Sequence, residues 1–235
     1  MARAYEKRND SYSVDISTIT IDGYRNALKV TRLLPGRRLL LDDVDGRFDR
    51  LKRAGVRDLA ELFDRLSSRN GMRALQEATG IDGEYLVVLR REIGGLLPKP
   101  VALAALPGIA APYLGALASA HVTDTRHMLD AGLTSEGRKD LHIRTAVPFR
   151  VIEELVRMSD LIRVNGVGPA FARTLLDAGA GSVHKISVAD PDELLAAVNE
   201  AMGRQGEIKA RLAVGDVEHC IRHARQLPLV LDLDR

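Results

Sequence analysis

Leu161-Ile162-Arg163-Val164-Asn165-Gly166-Val167-Gly168-Pro169-Ala170-Phe171-Ala172-Arg173-Thr174-Leu175-Leu176 carries the strongest structural signal in the chain. It predicts the end of one helix, a Gly-x-Gly hairpin and a second helix opened by proline. Gly166 and Gly168 permit backbone angles that a side chain obstructs. Pro169 suits the first helical position, where a missing N–H costs nothing. The amides of Gly166, Val167 and Gly168 would then face outward at a positive helix end and cradle a phosphate. This is the logic of a helix-hairpin-helix element, which grips a nucleic-acid backbone without reading bases.

The surrounding composition favours helices. Aromatic residues make up 4% of the 235 positions and tryptophan is absent, while Ala and Leu abound. Hydrophobic residues at 46% and charged residues at 28% match a globular chain with apolar mass for real cores. The net charge of +2 gives no strong global attraction to polyanions, so any nucleic-acid contact must come from a local patch. Cys220 is the single cysteine, which excludes an intrachain disulfide and a cysteine-based zinc site. No apolar run is long enough to span a membrane, and residues 1–10 lack the apolar core of a signal peptide. The expected setting is the cytoplasm.

Beyond the hairpin, the sequence repeats itself. Gly71, Leu75, Thr79 and Ile81 recur as Gly137, Leu141, Thr145 and Val147, each 66 positions on. The same shift carries Leu51, Ala54, Val56 and Asp58 onto Leu117, Ala120, Val122 and Asp124. A third copy begins near Leu161, with Leu175 and Ala178 lying 58 positions after Leu117 and Ala120. Val217, Ile221 and Ala224 return to the 66 spacing from Val151, Leu155 and Met158, which places an insertion around Gly203 to Gly206.

Each copy predicts a hairpin, a helix, a short helix, a loop and one or two closing helices. Ala54-Gly55, Ala131-Gly132 and Ala178-Gly179 are expected helix stops, with glycine left-handed. Asp190-Pro191-Asp192-Glu193 is a helix start, with an N-cap, a proline and acids in the first turn. Ile152 to Ile162 reads as one continuous helix. In the amino-terminal segment, Val14 and Ile16 alternate weakly before a helix near Thr20, and Leu33-Leu34-Pro35-Gly36-Arg37 ends it. Pro98-Lys99-Pro100 opposes helix and reads as a linker. The expected organisation is an amino-terminal segment plus a first helical repeat over 1–98, and a two-repeat domain over 101–235.

Comparing the three hairpins sharpens the site. The third keeps Gly166-Val167-Gly168-Pro169, while the second has Gly108 but Ala110 in place of the second glycine. The first carries Asp42, Asp43 and Asp45, which repel a phosphate at short range. Where DNA-holding hairpins place a basic residue just past the glycines, this chain has Ala170, leaving Arg163 and Arg173 to supply charge. A helix terminus alone contributes only about 0.3–1 kcal/mol to an anion. Residues 161–235 hold 9 Lys+Arg against 10 Asp+Glu, so the best hairpin sits in a neutral region. A basic stretch at Arg37, Arg38, Arg47, Arg50, Lys52, Arg53 and Arg57 is interleaved with aspartates. The alternative reading is that the glycines simply let two helices pack closely.

No enzyme motif emerges. The His-Glu-x-x-His pattern, a P-loop and a Gly-x-Ser-x-Gly elbow are all missing, so no catalytic residue, cofactor or metal is expected. His219 and His223 share a helix face but lack further ligands, and read as an exposed pair. The expected function is non-specific contact with nucleic-acid backbone through Arg163, Gly166, Val167, Gly168 and Arg173. The rival is a protein-interaction scaffold presenting an apolar run such as Val101–Leu106. Neither implies a membrane partner.

Leu33-Leu34-Pro35-Gly36-Arg37, Tyr85-Leu86, Leu89-Arg90-Arg91-Glu92-Ile93, Pro98-Lys99-Pro100, the Gly166–Pro169 hairpin, Asp190-Pro191 and Ala224-Arg225-Gln226-Leu227-Pro228-Leu229 occur in this order. Together they resemble the domain of unknown function 4332 family, in a longer bacterial form with an added amino-terminal segment. The likeness is strongest over 101–230. The resemblance implies an all-α fold of tandem helix-hairpin-helix-like (SAM-domain-like) helical repeats. It implies no activity and assigns no functional residue.

Overall fold

The computed structural model describes residues 12–31, 33–205 and 212–233. These form two compact units. Unit 1 is Val14–Leu97. Unit 2 runs from Pro98 onward and also takes in Tyr12 and Ser13. Among the described residues every regular element is helical.

Unit 1 contains α1 (Ile21–Val30), α2 (Val44–Arg53), α3 (Leu59–Ser67), α4 (Arg69–Thr79) and α5 (Gly83–Gly94). The weak alternation at Val14 and Ile16 yields a 3-10 turn, Ile16–Thr18, and not a strand. Thr20 caps α1 by accepting from the Gly23 amide. Leu33 to Arg37 does not terminate that helix, which stops at Val30; Pro35 instead opens a 3-10 helix, Pro35–Leu41. The core holds Phe48, Leu51, Leu59, Leu62, Tyr85, Leu86 and Leu89, none exposed to solvent. Each large aliphatic side chain so buried contributes roughly 1.5–3 kcal/mol.

Unit 2 contains α6 (Ala111–Ser119), α7 (Thr125–Gly132), α8 (Ser135–Thr145), α9 (Phe149–Leu161), α10 (Pro169–Asp177), α11 (Val183–Val188), α12 (Pro191–Gln205) and α13 (Val214–Ala224). Helix α9 packs against both α7 and α10, and α13 against α11 and α12. Asp190 starts α12 as its sequence indicates, accepting from the Asp192 and Glu193 amides. Helix α12 continues through Gly203 to Gln205, and Gly206, the end of the expected insertion, lies outside the described residues.

The same local bonds recur at the spacings seen in the sequence. After α2, α6 and α10 the chain turns through a left-handed residue, Gly55, His121 or Gly179. The next amide then reaches back to the helix: Val56 to Leu51 O, Val122 to Leu117 O, Ala180 to Leu175 O. An N-cap follows each turn: Asp58, Asp124 or Ser182. Thr79 and Thr145 each bond back to the carbonyl four residues earlier and accept from the amide two residues on. Gly71 and Gly137 sit against the Arg65 and Ala131 carbonyl oxygens, where a Cβ would overlap the backbone.

Two expectations are corrected. Gly132 is not a left-handed stop, for α7 runs on to it and Leu133 stays right-handed. It is glycine because a Cβ would overlap the Val156 side chain of α9. The Val101–Leu106 run is no exposed apolar patch either, since Leu103 and Leu106 are buried.

Candidate functional site

The third hairpin joins α9 to α10. Gly166 is left-handed, with φ of 90°, and so needs glycine. Gly168 is extended, with φ of −91° and ψ of 177°, a conformation open to any residue. It serves as the N-cap of α10, its carbonyl accepting from Ala172 N at 2.8 Å. The Val167 amide is not outward-facing, since it donates to Val164 O at 3.0 Å, and its side chain is buried. Within the described residues no acceptor meets the amides of Gly168, Ala170 and Phe171. These, with Pro169 lacking an N–H, form the open end of α10.

The charge expected beside that end is elsewhere. Arg163 is fully buried. Its Nε donates to Tyr12 O at 3.0 Å, one terminal nitrogen donates to Pro228 O at 2.7 Å, and the other pairs with Asp160. The second Asp160 oxygen accepts from Val183 N at 2.7 Å, at the start of α11. One buried ion pair thus joins four segments far apart in sequence. A guanidinium is suited to this, because it offers five fixed donors and stays charged.

Arg173 reaches the surface, but two carboxylates hold it. It forks onto Asp177 at 2.7 and 3.2 Å and meets Glu154 at 3.0 Å. The bond to Asp177, then that to Glu154, binds its proton more firmly than usual against the opposing effect of burial. Its field at the hairpin is therefore largely neutralised. Of the five residues expected at a phosphate, Gly166 and Gly168 lie at the open turn, while Arg163, Val167 and Arg173 are otherwise engaged.

The histidines reveal what sequence reading missed. His219 and His223 are not an exposed pair. They project from α13 onto Asn165, His223 Nδ1 accepting from its amide at 3.1 Å and His219 Nε2 lying 3.2 Å from its Oδ1. His223 is buried. Cys220, on the same face, is buried too, and burial followed by Asp216 pushes its thiol up to about 11. It therefore stays a neutral, unreactive thiol near pH 7. In unit 1 the matching task falls to α5, where the Tyr85 hydroxyl donates to Leu40 O at 3.2 Å. Arg47 lies 4.2 Å over the Tyr85 ring, and burial pushes that phenol up to about 12.

Four cations of the basic stretch in unit 1 also meet carboxylates. Arg37 pairs with Glu92, Arg50 with Asp43, Lys52 with Asp22 and Arg57 with Glu61. Among the described residues no three His, Cys, Asp or Glu side chains gather as a metal site, and no helix is long and apolar enough to cross a membrane.

No curated protein and no solved structure matches the chain. A family model does, over residues 107–227, which takes in the whole of α6 to α13 and a few flanking residues. The chain belongs to the DUF4332 family, a domain of unknown function.

Proposed function

We propose that this chain is a non-enzymatic, cytoplasmic binding protein built from tandem helix-hairpin-helix-like units, and that its partner is a protein. The observation carrying this reading is the fate of the cations. Arg163 is buried against Asp160, and Arg173 is shared between Asp177 and Glu154. Non-specific nucleic-acid binding draws its affinity from several free cations that neutralise phosphates. Two aliphatic side chains of unit 2 lie open to solvent, Ile143 being 77% and Val188 69% exposed. Protein interfaces take such residues at their cores. Affinity capture with nuclease-treated extract tests the reading. A partner retained by the wild-type chain and lost from Ile143→Asp or Val188→Asp supports it; capture that nuclease abolishes contradicts it.

A second reading keeps the hairpin as a phosphate contact. It is favoured by the three open amides of Gly168, Ala170 and Phe171 at the start of α10. Such an end attracts an anion by only about 0.3–1 kcal/mol. A duplex titration at low salt separates the two readings.

A further inference from the structure

Unit 2 repeats the opening bonds of unit 1 and then stops short. In unit 1 the Ile21 amide donates to Arg57 O and the Leu59 amide to Ile19 O. In unit 2 the Leu103 amide donates to Thr123 O and the Thr125 amide to Val101 O. Leu103 therefore stands where α1 begins at Ile21. Helix α1 runs for 10 residues from there, whereas its counterpart, Leu103–Ala105, is a 3-10 turn of 3. The matching residues Tyr24 and Leu106 are both buried, but at Pro107-Gly108 unit 2 turns away, with Gly108 left-handed.

The turns it lacks are those that cover the following helix. On α2, residues Asp45, Phe48, Asp49 and Lys52 share one helical face. Helix α1 covers that face: Arg25 meets Asp49 at 3.1 Å, Lys29 meets Asp45 at 2.5 Å and Asp22 meets Lys52 at 2.6 Å. The Tyr24 ring stands 6.2 Å from that of Phe48. The same face of α10 is held by α9, through Arg173 and Glu154. On α6 the matching residues, 66 positions after those of α2, are Ala111, Leu114, Gly115 and Ala118. The three small residues are exposed. Leu114 is only half-buried, although its counterparts Phe48 and Ala172 are wholly buried. From Val101 to Ala120 there is no Asp, Glu, Lys or Arg.

We propose that a second copy of this chain supplies the missing cover, the α6 helices of two copies packing against each other across a two-fold axis near Gly115. Both sibling helices, α2 and α10, show that a helix takes this place. A charged cover such as α1 would find no counter-charge on α6, and its ions would lose water without gaining partners. The occupant is therefore a helix with an uncharged face whose backbone can come close. Helix α6 itself has both properties, and one face paired with its own copy about a two-fold axis is self-complementary. Leu114 of each copy then packs against the small residues of the other. Two helices of nine residues bury less than the ~1,200 Å² of a stable interface, so the dimer is weak and reversible.

Sedimentation velocity of the full chain, from about 1 μM to about 1 mM, tests the pairing. Wild type is expected to pass from monomer to dimer over that range. Gly115 accepts a side chain without disturbing the monomer, since a Cβ there meets no atom within 4 Å. Gly115→Glu and Gly115→Lys each set like charges against one another across the axis, so each variant alone is expected to stay monomeric. An equimolar mixture of the two brings opposite charges together and is expected to dimerise again. This pattern is independent of any protein captured through Ile143 or Val188, because the purified chain is alone in the cell. Wild type that remains monomeric up to about 1 mM overturns the pairing, even if another protein is found on α6. A dimer that survives in both charged variants, or a mixture that fails to restore it, overturns it equally.

Discussion

Residues 44–94 of unit 1 and 111–161 of unit 2 share a local frame, yet finish differently. Both set an aspartate N-cap after a left-handed turn, Asp58 and Asp124. Both press a glycine, Gly71 or Gly137, against a carbonyl of the preceding helix. Both end the next helix with a threonine that bonds back, Thr79 or Thr145. At the close of α5 unit 1 has Gly94 and Leu97; 66 positions on, unit 2 has Asp160 and Arg163. That exchange replaces a plain ending by a buried ion pair that holds α11, Tyr12 and Pro228. The frame is thus set by caps and close-approach glycines, while the larger assembly of unit 2 depends on one charged pair.

The largest expected difference follows from that pair. Arg163→Met leaves Asp160 buried without its cation and should lower stability by about 3–5 kcal/mol in urea unfolding. Leu97→Ala, at the matching position in unit 1, is half-buried and should cost about 1 kcal/mol or less. Equal losses would show that the two endings carry equal weight. Next come the glycines. Gly71→Ala and Gly137→Ala each force a Cβ onto a backbone oxygen, and each should cost roughly 1–3 kcal/mol. A loss at one position but not the other breaks the shared frame. The caps are smaller: Asp58→Ala and Asp124→Ala should each cost about 1 kcal/mol.

The smallest effect concerns a latch for which unit 1 shows no counterpart at the matching residues. Asp232 pairs with the buried Arg138 at 2.8 Å and accepts from the Ser135 amide at 2.8 Å. Burial opposes its ionisation, but those two partners prevail and hold the carboxyl below its ordinary 3.8. A carboxyl lowered in the folded state stabilises above its unfolded value and loses that contribution as pH falls through its folded value. The melting temperature of wild type should therefore exceed that of Asp232→Asn at neutral pH. The gap should stay constant on mild acidification and close below the ordinary carboxylate range. A gap independent of pH would sink the latch.

What was legible in the sequence was local. Asp190 announces a helix start because a short carboxylate reaches amides two or three residues ahead, whereas Asp58 and Asp124, matched in the sequence only as repeat positions, prove to cap helices in the same way. Gly55 and Gly179 announce stops because glycine takes the left-handed turn without strain. The turns at Asp43, His121 and Ala146 were hidden, since these residues take a positive φ only where tertiary context compensates the strain. Ala131-Gly132 misled because a packing glycine and a capping glycine look alike in sequence. The burial of Arg163 was illegible for a different reason. Its acceptors, Tyr12 and Pro228, lie 151 and 65 positions away, and no periodicity encodes such a meeting. His219 and His223 were misread likewise, their partner Asn165 being more than 50 positions distant.

Arg163 and Arg173, the two cations expected at the third hairpin, are committed to carboxylates within the fold and so offer little free charge to a phosphate. A fluorescence titration of an arbitrary labelled duplex, run from low to moderate salt, tests this most directly. No appreciable binding is expected at low salt, and no difference between wild type and the pair Gly168→Asp with Arg173→Ala. Binding that weakens linearly with log salt, and is lost in that double variant, would contradict it.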